Sequence, residues 1–447
     1  MKSFTFWCLL ALSTALQGQT LQGQLSQHAG QELRLLGFAY YQTIHLATTV
    51  ADSLGHFVLT YPKDYVGMGI LKAQNQASAL VVLSEKKVVL SGTHLNDLAS
   101  LTFFNSPANT HFGYYAKAQG LYANAQSAWQ YLDKLYTNEV LFNGQKKLQK
   151  AIQKEQLRLQ KEEAAFVAGL DQKSYVRWYI PYRKAVQEMP GVVRRHTERI
   201  PAMLHQFRTT NFNQPHFKTS GLFREYLEGH YLLIENMGQP LDSVYRQMNL
   251  STQHLLDNLQ ANDTLLPKVA KNLFNYFEKR SLYKAAAYLS RGLLNNFEGM
   301  LDPSLVAQLE SYRKLKVGAT APDILLQNNT KLSAIKTRKL LVFGASWCPA
   351  CKKELPELLA NHAQWKSKNT TIVYISIDTD ARAFETTYEQ FPWQSFCDFK
   401  GWETQAAKDY LIFGTPSYFL LDANNQILLR PKSVAHLNAW MQTHLKD

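Results

Sequence analysis

The 447-residue sequence predicts an N-terminal β-sandwich, a central α-helical domain and a C-terminal α/β domain. Three observations carry that expectation. Short β-branched and aromatic runs recur at intervals of about ten residues as far as residue 101. The apolar period then becomes helical as far as residue 314, and from residue 317 strand-like and helix-like segments alternate. With 46% apolar residues, the chain has the material for several buried cores.

The opening MKSFTFWCLLALSTALQGQ puts Lys2 before an apolar run from Phe4 to Leu16, then small and polar residues, the layout of a cleaved secretory signal over residues 1–19. Cleavage after Ala15 and after Gly18 both fit. The run is too short to span a bilayer comfortably, and no later stretch has the roughly 20 uninterrupted apolar residues of a transmembrane helix. Cys8 sits inside the run behind Phe6 and Trp7, so a lipid anchor is not expected. Export leaves Cys348, Cys351 and Cys397 where disulfides persist. Three thiols are too few for a stapling framework, and the Cys-x-x-Cys spacing of two of them points to chemistry.

The net charge of +13 is uneven: residues 317–447 hold 14 Lys/Arg against 12 Asp/Glu, leaving 34 against 23 upstream. Arg194, Arg195, His196 and Arg199 suit an acidic partner or lipid head groups, with a solvated basic face as the plainer reading. An exported chain has little occasion to meet nucleic acid, so none is expected.

Within the β domain, residues 20–103, the strand-like runs are LQGQLS, ELRLLGF, TIHLATTVAD, HFVLTY, VGMGILKA, ALVVLSE and KVVLSGT. Turn signals such as Asp52-Ser53-Leu54-Gly55 separate them. Gly67-Met68-Gly69 lacks the third glycine and following helix of a nucleotide loop, and reads as strand or bulge. The helical domain, residues 104–315, shows apolar stripes at Leu121, Ala125, Trp129, Leu132 and Tyr136, and at Leu148, Ile152, Leu159 and Phe166. Further stripes run through Phe223, Leu227 and Ile234, through Val244, Met248, Leu255 and Leu259, and through Val269, Leu273 and Phe277 after Pro267. His230 is expected as a hydrogen-bonded core histidine, because no second histidine stands at metal-binding spacing from it.

The last domain, residues 316–447, reads strand KLLVFGAS, helix CKKELPELLANHAQW, strand TIVYISID, two helix-compatible segments, strands SYFLLD and QILLR, and a closing helix. LLVFGASWCPACKKELP places Cys348 at a helix N-cap and Pro349 at the first helical position. Free amides of the first turn then face the Cys348 sulfur and favour its thiolate, while Cys351, one turn on, is the more buried resolving thiol. A zinc site would need two further ligands, and Cys397, the one other thiol left after export, reads as a small apolar residue; no metal is expected.

WCPAC, Pro356 in the following helix, and Thr415-Pro416 before SYFLLD resemble the thioredoxin superfamily. The lead-in VGATAPDILL, the CKKELP sequel and the YISID strand resemble its TlpA/ResA-like periplasmic disulfide reductases, over about residues 316–447. The resemblance implies a thioredoxin fold with Pro416 cis against the thiols and Thr415 pairing with substrate backbone. Trp347 and Pro349, beside Cys348, are expected to touch substrate as well. Glu354 matches a glutamate that lies beside the thiols; the resemblance makes it a proton carrier for Cys351, against the plainer reading of a solvated helix glutamate. Val342 stands where thioredoxin carries a buried aspartate, which raises the need for another proton acceptor. Ala345 stands where a peroxiredoxin needs a threonine. The separation of 68 from Cys348 to Pro416 fits an additional strand-helix element.

The implied protein is a periplasmic thiol-disulfide oxidoreductase without a cofactor. It would reduce disulfides of envelope proteins, be kept reduced by a membrane electron donor, and be open to homodimer formation. The upstream layout resembles multidomain thioredoxin-like proteins of Bacteroidota. The alternative is an envelope binding protein whose β and helical domains recognise a ligand and whose dithiol is incidental.

Overall fold

The computed structural model describes residues 18–444 apart from 98, 143 and 327–329, so most of the expected signal lies outside the described residues. The chain forms two compact units that divide between Met237 and Gly238. The helical stretch expected as one domain is therefore shared between them.

The first unit begins with strands β1 (Gln19–Leu25), β2 (Glu32–Ala39), β3 (Gln42–Val50), β4 (His56–Tyr61), β5 (Gly67–Ala73), β6 (Ser78–Leu83), β7 (Lys87–Gly92) and β8 (Thr102–Phe104). They form two four-stranded sheets, ordered β4-β1-β7-β8 and β3-β2-β5-β6. Leu21, Leu59 and Leu90 of one sheet share a single core with Leu33, Leu35, Leu71 and Val81 of the other. In β4 the alternation is regular: Phe57, Leu59 and Tyr61 are buried and the residues between them are exposed, which is how a half-buried strand is encoded. β8, at three residues, is too short to show a period and was not anticipated. Gly67 opens β5 because a Cβ there would overlap the Thr219 side chain, whose hydroxyl donates to the Val66 carbonyl at 2.5 Å.

Helices α1 (Pro107–Asn138), α2 (Lys146–Gly169), α3 (Tyr175–Arg195), α4 (Ile200–Arg208), α5 (His216–Thr219) and α6 (Phe223–Glu235) complete this unit. The stripe predicted through Leu121 begins instead at Ala125, for Leu121 is 75% exposed. On α2 only Ile152 and Leu159 are buried, and Leu148 is largely exposed. Two long helices packed as a hairpin bury a narrow seam, so apolar residues at the margin of the stripe stay in water.

His230 on α6 is buried, stacked on Phe207 at 3.6 Å between ring centroids, and neither ring nitrogen hydrogen-bonds among the described residues. The sequence reading was right about the core and wrong about the hydrogen bonds. Burial, then the Arg208 charge, hold the imidazole well below its ordinary pKa. It stays neutral in the fold, whereas the unfolded chain binds its proton below about pH 6.5. The stability this represents is fully present above that pH and is lost as the pH falls toward the folded value, by about 1.4 kcal/mol per unit. His230→Phe keeps the stack and removes the titration. Its urea midpoint should fall less than that of the wild type between pH 7 and pH 5; parallel declines would refute the assignment.

The second unit opens with α7 (Leu241–Leu259), α8 (Leu266–Lys279), α9 (Tyr283–Asn296) and α10 (Pro303–Lys314). The stripes expected on α7 and α8 are buried, and Asp302 caps α10 by accepting the Ser304 N–H at 2.9 Å. The C-terminal sheet holds β9 (Arg338–Gly344), β10 (Thr370–Ser376), β11 (Gln394–Cys397), β12 (Ser417–Leu421) and β13 (Ile427–Leu429), in the order β11-β10-β9-β12-β13. β9, β10 and β11 are parallel, and β12 runs antiparallel to β9. Helices α11 (Pro349–Ser367), α12 (Ala381–Tyr388), α13 (Gln405–Asp409) and α14 (Val434–His444) accompany it. Leu340 and Val342 face one core with Leu355, Trp365 and Leu437, while Leu341 and Phe343 face the other with both site cysteines. A central strand covered on both faces is apolar throughout, which is why KLLVF shows no alternation.

Candidate redox site

β9 delivers the chain to the site. Gly344, its last residue, lies where any Cβ would overlap the Tyr374 hydroxyl, so a side chain there would have to displace the buried Tyr374 ring. The backbone leaves the sheet through Ala345, Ser346 and Trp347 and enters α11 with Cys348 at the N-cap and Pro349 in the first turn. The Cys348 sulfur accepts the Cys351 N–H at 3.1 Å, the free-amide contact predicted for a helix start. Cys348 and Cys351 are joined as a disulfide with their Cα atoms 5.3 Å apart. They are 4% and 1% exposed, Cys351 being the deeper.

Across the sulfur stands the loop before β12. The Thr415–Pro416 peptide bond is cis, and the Thr415 carbonyl oxygen lies 3.4 Å from the Cys348 sulfur. Trp347 is 53% exposed and leans on Trp402, with ring centroids 6.3 Å apart, and Pro349 is also exposed. The fold thus gathers Trp347, Cys348, Pro349, Cys351, Thr415 and Pro416 in one place. Trp402 joins them from a short 3-10 turn that carries no sequence signal for this role.

Glu354 is half-buried, and one carboxylate oxygen accepts both the Val434 N–H at 2.7 Å and the Tyr418 O–H at 3.2 Å. It ties α11 to β12 and to the start of α14, so it is not a freely solvated helix glutamate. Burial foremost, and then the Glu354 charge, push the Tyr418 phenol far above its ordinary pKa. Glu354→Gln keeps an oxygen that accepts both donors and should therefore fold normally, yet it removes a charge from the helix carrying the thiols. The pH profile of disulfide exchange should shift in this variant; an unchanged profile would leave Glu354 a purely structural tie.

A buried carboxylate that sequence reasoning missed lies next to the cysteine loop. Asp378, just past β10, is 1% exposed and accepts the Ser346 N–H at 3.0 and 3.1 Å, the Ser346 hydroxyl at 2.7 Å and the Ser376 hydroxyl at 2.5 Å. Ser346 is two residues before Cys348. Val342 packs in the core against α11, whereas this aspartate, two residues past β10, holds the loop before Cys348. Its one signal was an acidic residue ending the apolar run YISID. Cys397, on β11, is half-buried with its thiol 3.4 Å from the Asp378 carbonyl, and burial pushes that thiol's pKa up. No group of three or more His, Cys, Asp or Glu among the described residues is arranged to hold a metal ion. What the arrangement can do chemically is exchange a disulfide between Cys348, Cys351 and a partner lying along the Thr415–Pro416 loop.

Comparison with known proteins agrees with this geometry. Residues 317–430 match the model of the AhpC/TSA family. The thiol-disulfide oxidoreductase ResA of Oceanobacillus iheyensis is 31% identical over 85 residues, 17% of this chain and 44% of that protein. Probable nucleoredoxin 1 of Arabidopsis thaliana is 29% identical over 93 residues, 20% of this chain and 16% of that one. The chain thus spans less than half the length of these curated relatives. Among solved structures, a thiol-disulfide oxidoreductase from Bacteroides fragilis is 29% identical, covering 28% of this chain and 98% of its own, with a TM-score of 0.25. A thioredoxin-like protein from Bacteroides caccae is 15% identical, covering 53% and 88%, with a TM-score of 0.41. Strand, dithiol helix, cis-proline loop and family match coincide on one segment: residues 317–430 are a thioredoxin-like domain of the AhpC/TSA family, of the kind found in thiol-disulfide oxidoreductases.

Proposed function

We propose that the protein is an exported thiol-disulfide oxidoreductase that reduces disulfides of cell-envelope proteins through Cys348 and Cys351. The observation that carries this reading is the Cys348 sulfur at the N-cap of α11, in contact with the Cys351 N–H and beside the Thr415 carbonyl. A thiolate there is stabilised by the partial positive charge of the helix end. The Cys348 thiolate attacks one sulfur of the partner disulfide, forming a mixed disulfide and expelling the other sulfur as a thiolate. The Cys351 thiolate then attacks the Cys348 sulfur; the Cys348–Cys351 bond forms and the second partner sulfur leaves. The partner gains two electrons and the dithiol loses two, so a membrane dithiol donor must restore it. Trp347, Pro349, Thr415 and Pro416 frame the sulfur that the partner reaches. Lys2 and the apolar run from Phe4 to Leu16 support the export part of this reading, and with it a periplasmic site of action.

The direction of transfer follows from the residues between the cysteines. Pro349 has no N–H and Ala350 no polar side chain, so neither adds a donor to the Cys348 thiolate beyond the helix end. The reduced state is then not over-stabilised, and the potential should lie below roughly −200 mV, on the side of thioredoxin at about −270 mV rather than the oxidant DsbA at about −120 mV. Equilibration against a dithiothreitol or glutathione series measures it. A value near that of DsbA would make the protein an oxidant and overturn the reductase assignment.

A further inference from the structure

In the first unit, strand β6 is an edge whose outward hydrogen-bonding groups are dealt with unevenly. Antiparallel pairing gives alternate residues both backbone groups toward the partner strand or both away from it. The Val82 N–H donates to the Asn109 side-chain oxygen at 2.7 Å, and the Asn109 side-chain nitrogen donates back to the Val82 carbonyl at 2.7 Å. Val82 therefore turns its backbone groups away from β5, and Asn109 stands in for a neighbouring strand. Two pairs away, the Ser78 N–H donates to the Asn96 side-chain oxygen at 3.0 Å. The register runs without a shift from Ser78 to Val82, so Leu80, between them, also points its N–H and carbonyl outward. Its neighbours on the edge have side-chain amides, whereas Leu80 faces a cavity.

That cavity, about 660 Å³, is bordered by Asn96 and Asn109, the two amides that hold the edge, with Leu80 between them. Leu101, Phe103 and Phe112 make its wall apolar, and Lys117 and Arg183 lie on its margin. The Arg183 guanidinium sits 5.6 Å from the Phe112 ring centre and donates to the Tyr179 hydroxyl at 3.2 Å. Neither cation makes an ion pair among the described residues. One strand-like pair of hydrogen-bonding groups, an apolar wall and two cations without a counter-charge make complementary demands on an occupant.

We propose that this groove binds a short extended peptide with apolar side chains and a free carboxylate. One residue of the peptide pairs with Leu80, donating its N–H to the Leu80 carbonyl and accepting the Leu80 N–H. Adjacent side chains enter the cavity, and the terminal carboxylate meets Arg183 and Lys117. A fatty acid would satisfy the wall and the cations but has no N–H for the Leu80 carbonyl. The site is separate from the dithiol and does not depend on the redox reading.

Fluorescence anisotropy of the intact protein with a fluorescein-labelled Ala-Val-Leu-Val-Ala free acid tests this. Saturable binding is expected, weakened at least tenfold by C-terminal amidation and to a similar degree by Arg183→Gln, the cost of one charge-assisted contact. N-methylation of the central leucine removes the donor to Leu80 without altering the protein, and should weaken binding as well. Lack of saturable binding up to millimolar protein overturns the proposal, as does equal binding of the acid and amide peptides. If dodecanoate displaces the probe while N-methylation has no effect, the cavity takes amphiphiles and the strand-pairing proposal fails.

Discussion

Insulin disulfides should be reduced with turnover by the wild-type protein when dithiothreitol supplies the electrons, and Cys348→Ser should bring that rate down to the rate of dithiothreitol alone. The size of the effect follows from the chemistry: with the nucleophile gone, the remaining thiols are poorly placed for attack, Cys351 being 1% exposed inside α11 and Cys397 held on β11 with its thiol pKa raised by burial. Cys351→Ser should behave differently. Its Cys348 keeps the N-cap position, so the first attack proceeds, but nothing resolves the adduct and the partner stays covalently bound. Non-reducing electrophoresis and mass spectrometry would identify trapped partners. Accumulation of adducts on Cys351 in the Cys348→Ser protein, with none on Cys348 in the reciprocal variant, would reverse the assigned roles.

Asp378→Ala should produce the second large effect, on stability and catalysis together. The carboxylate receives three donors in the interior, and removing it leaves the Ser346 N–H buried without an acceptor. Stranding a buried donor costs about 1–3 kcal/mol, and hydrogen bonds to a charged group are worth about 1.5–3 kcal/mol each. The Ser346 and Ser376 hydroxyls can rotate to other partners, so a loss of about 3 kcal/mol is expected rather than the sum. Because Ser346 leads into Cys348, the loop should also loosen, visible as faster hydrogen exchange at the Ser346 amide and slower disulfide exchange. Wild-type unfolding and exchange rates in Asp378→Ala would show that Asp378 neither stabilises nor positions the loop.

The redox centre was legible because its chemistry is local. Cys348, Pro349, Ala350 and Cys351 are the consecutive residues of one helix start, and the capping contact to the Cys348 sulfur is a property of that turn alone. The seven longer strands of the sandwich were legible from β-branched and aromatic runs set off by turn residues, although regular alternation of buried and exposed positions holds in β4 and not in β5 or β6, where consecutive residues are buried. β8 and β11, three and four residues long, are too short to carry a period and take their conformation from the strands they pair with.

Local patterns in the chain suffice for the fold class and for the position of the dithiol, with Cys348 the outer sulfur. What surrounds it depends on contacts between distant segments. Asp378 and Ser346 are 32 residues apart and meet because β9 and β10 run side by side. Glu354 finds Tyr418 and Val434 across 64 and 80 residues and so also ties α11 to β12 and α14. His230 reads as an ordinary core histidine, yet among the described residues neither ring nitrogen finds a hydrogen-bond partner. Each of these depends on which strands and helices become neighbours. Hydrophobic periodicity encodes that a face is buried, but not which polar group will stand opposite it.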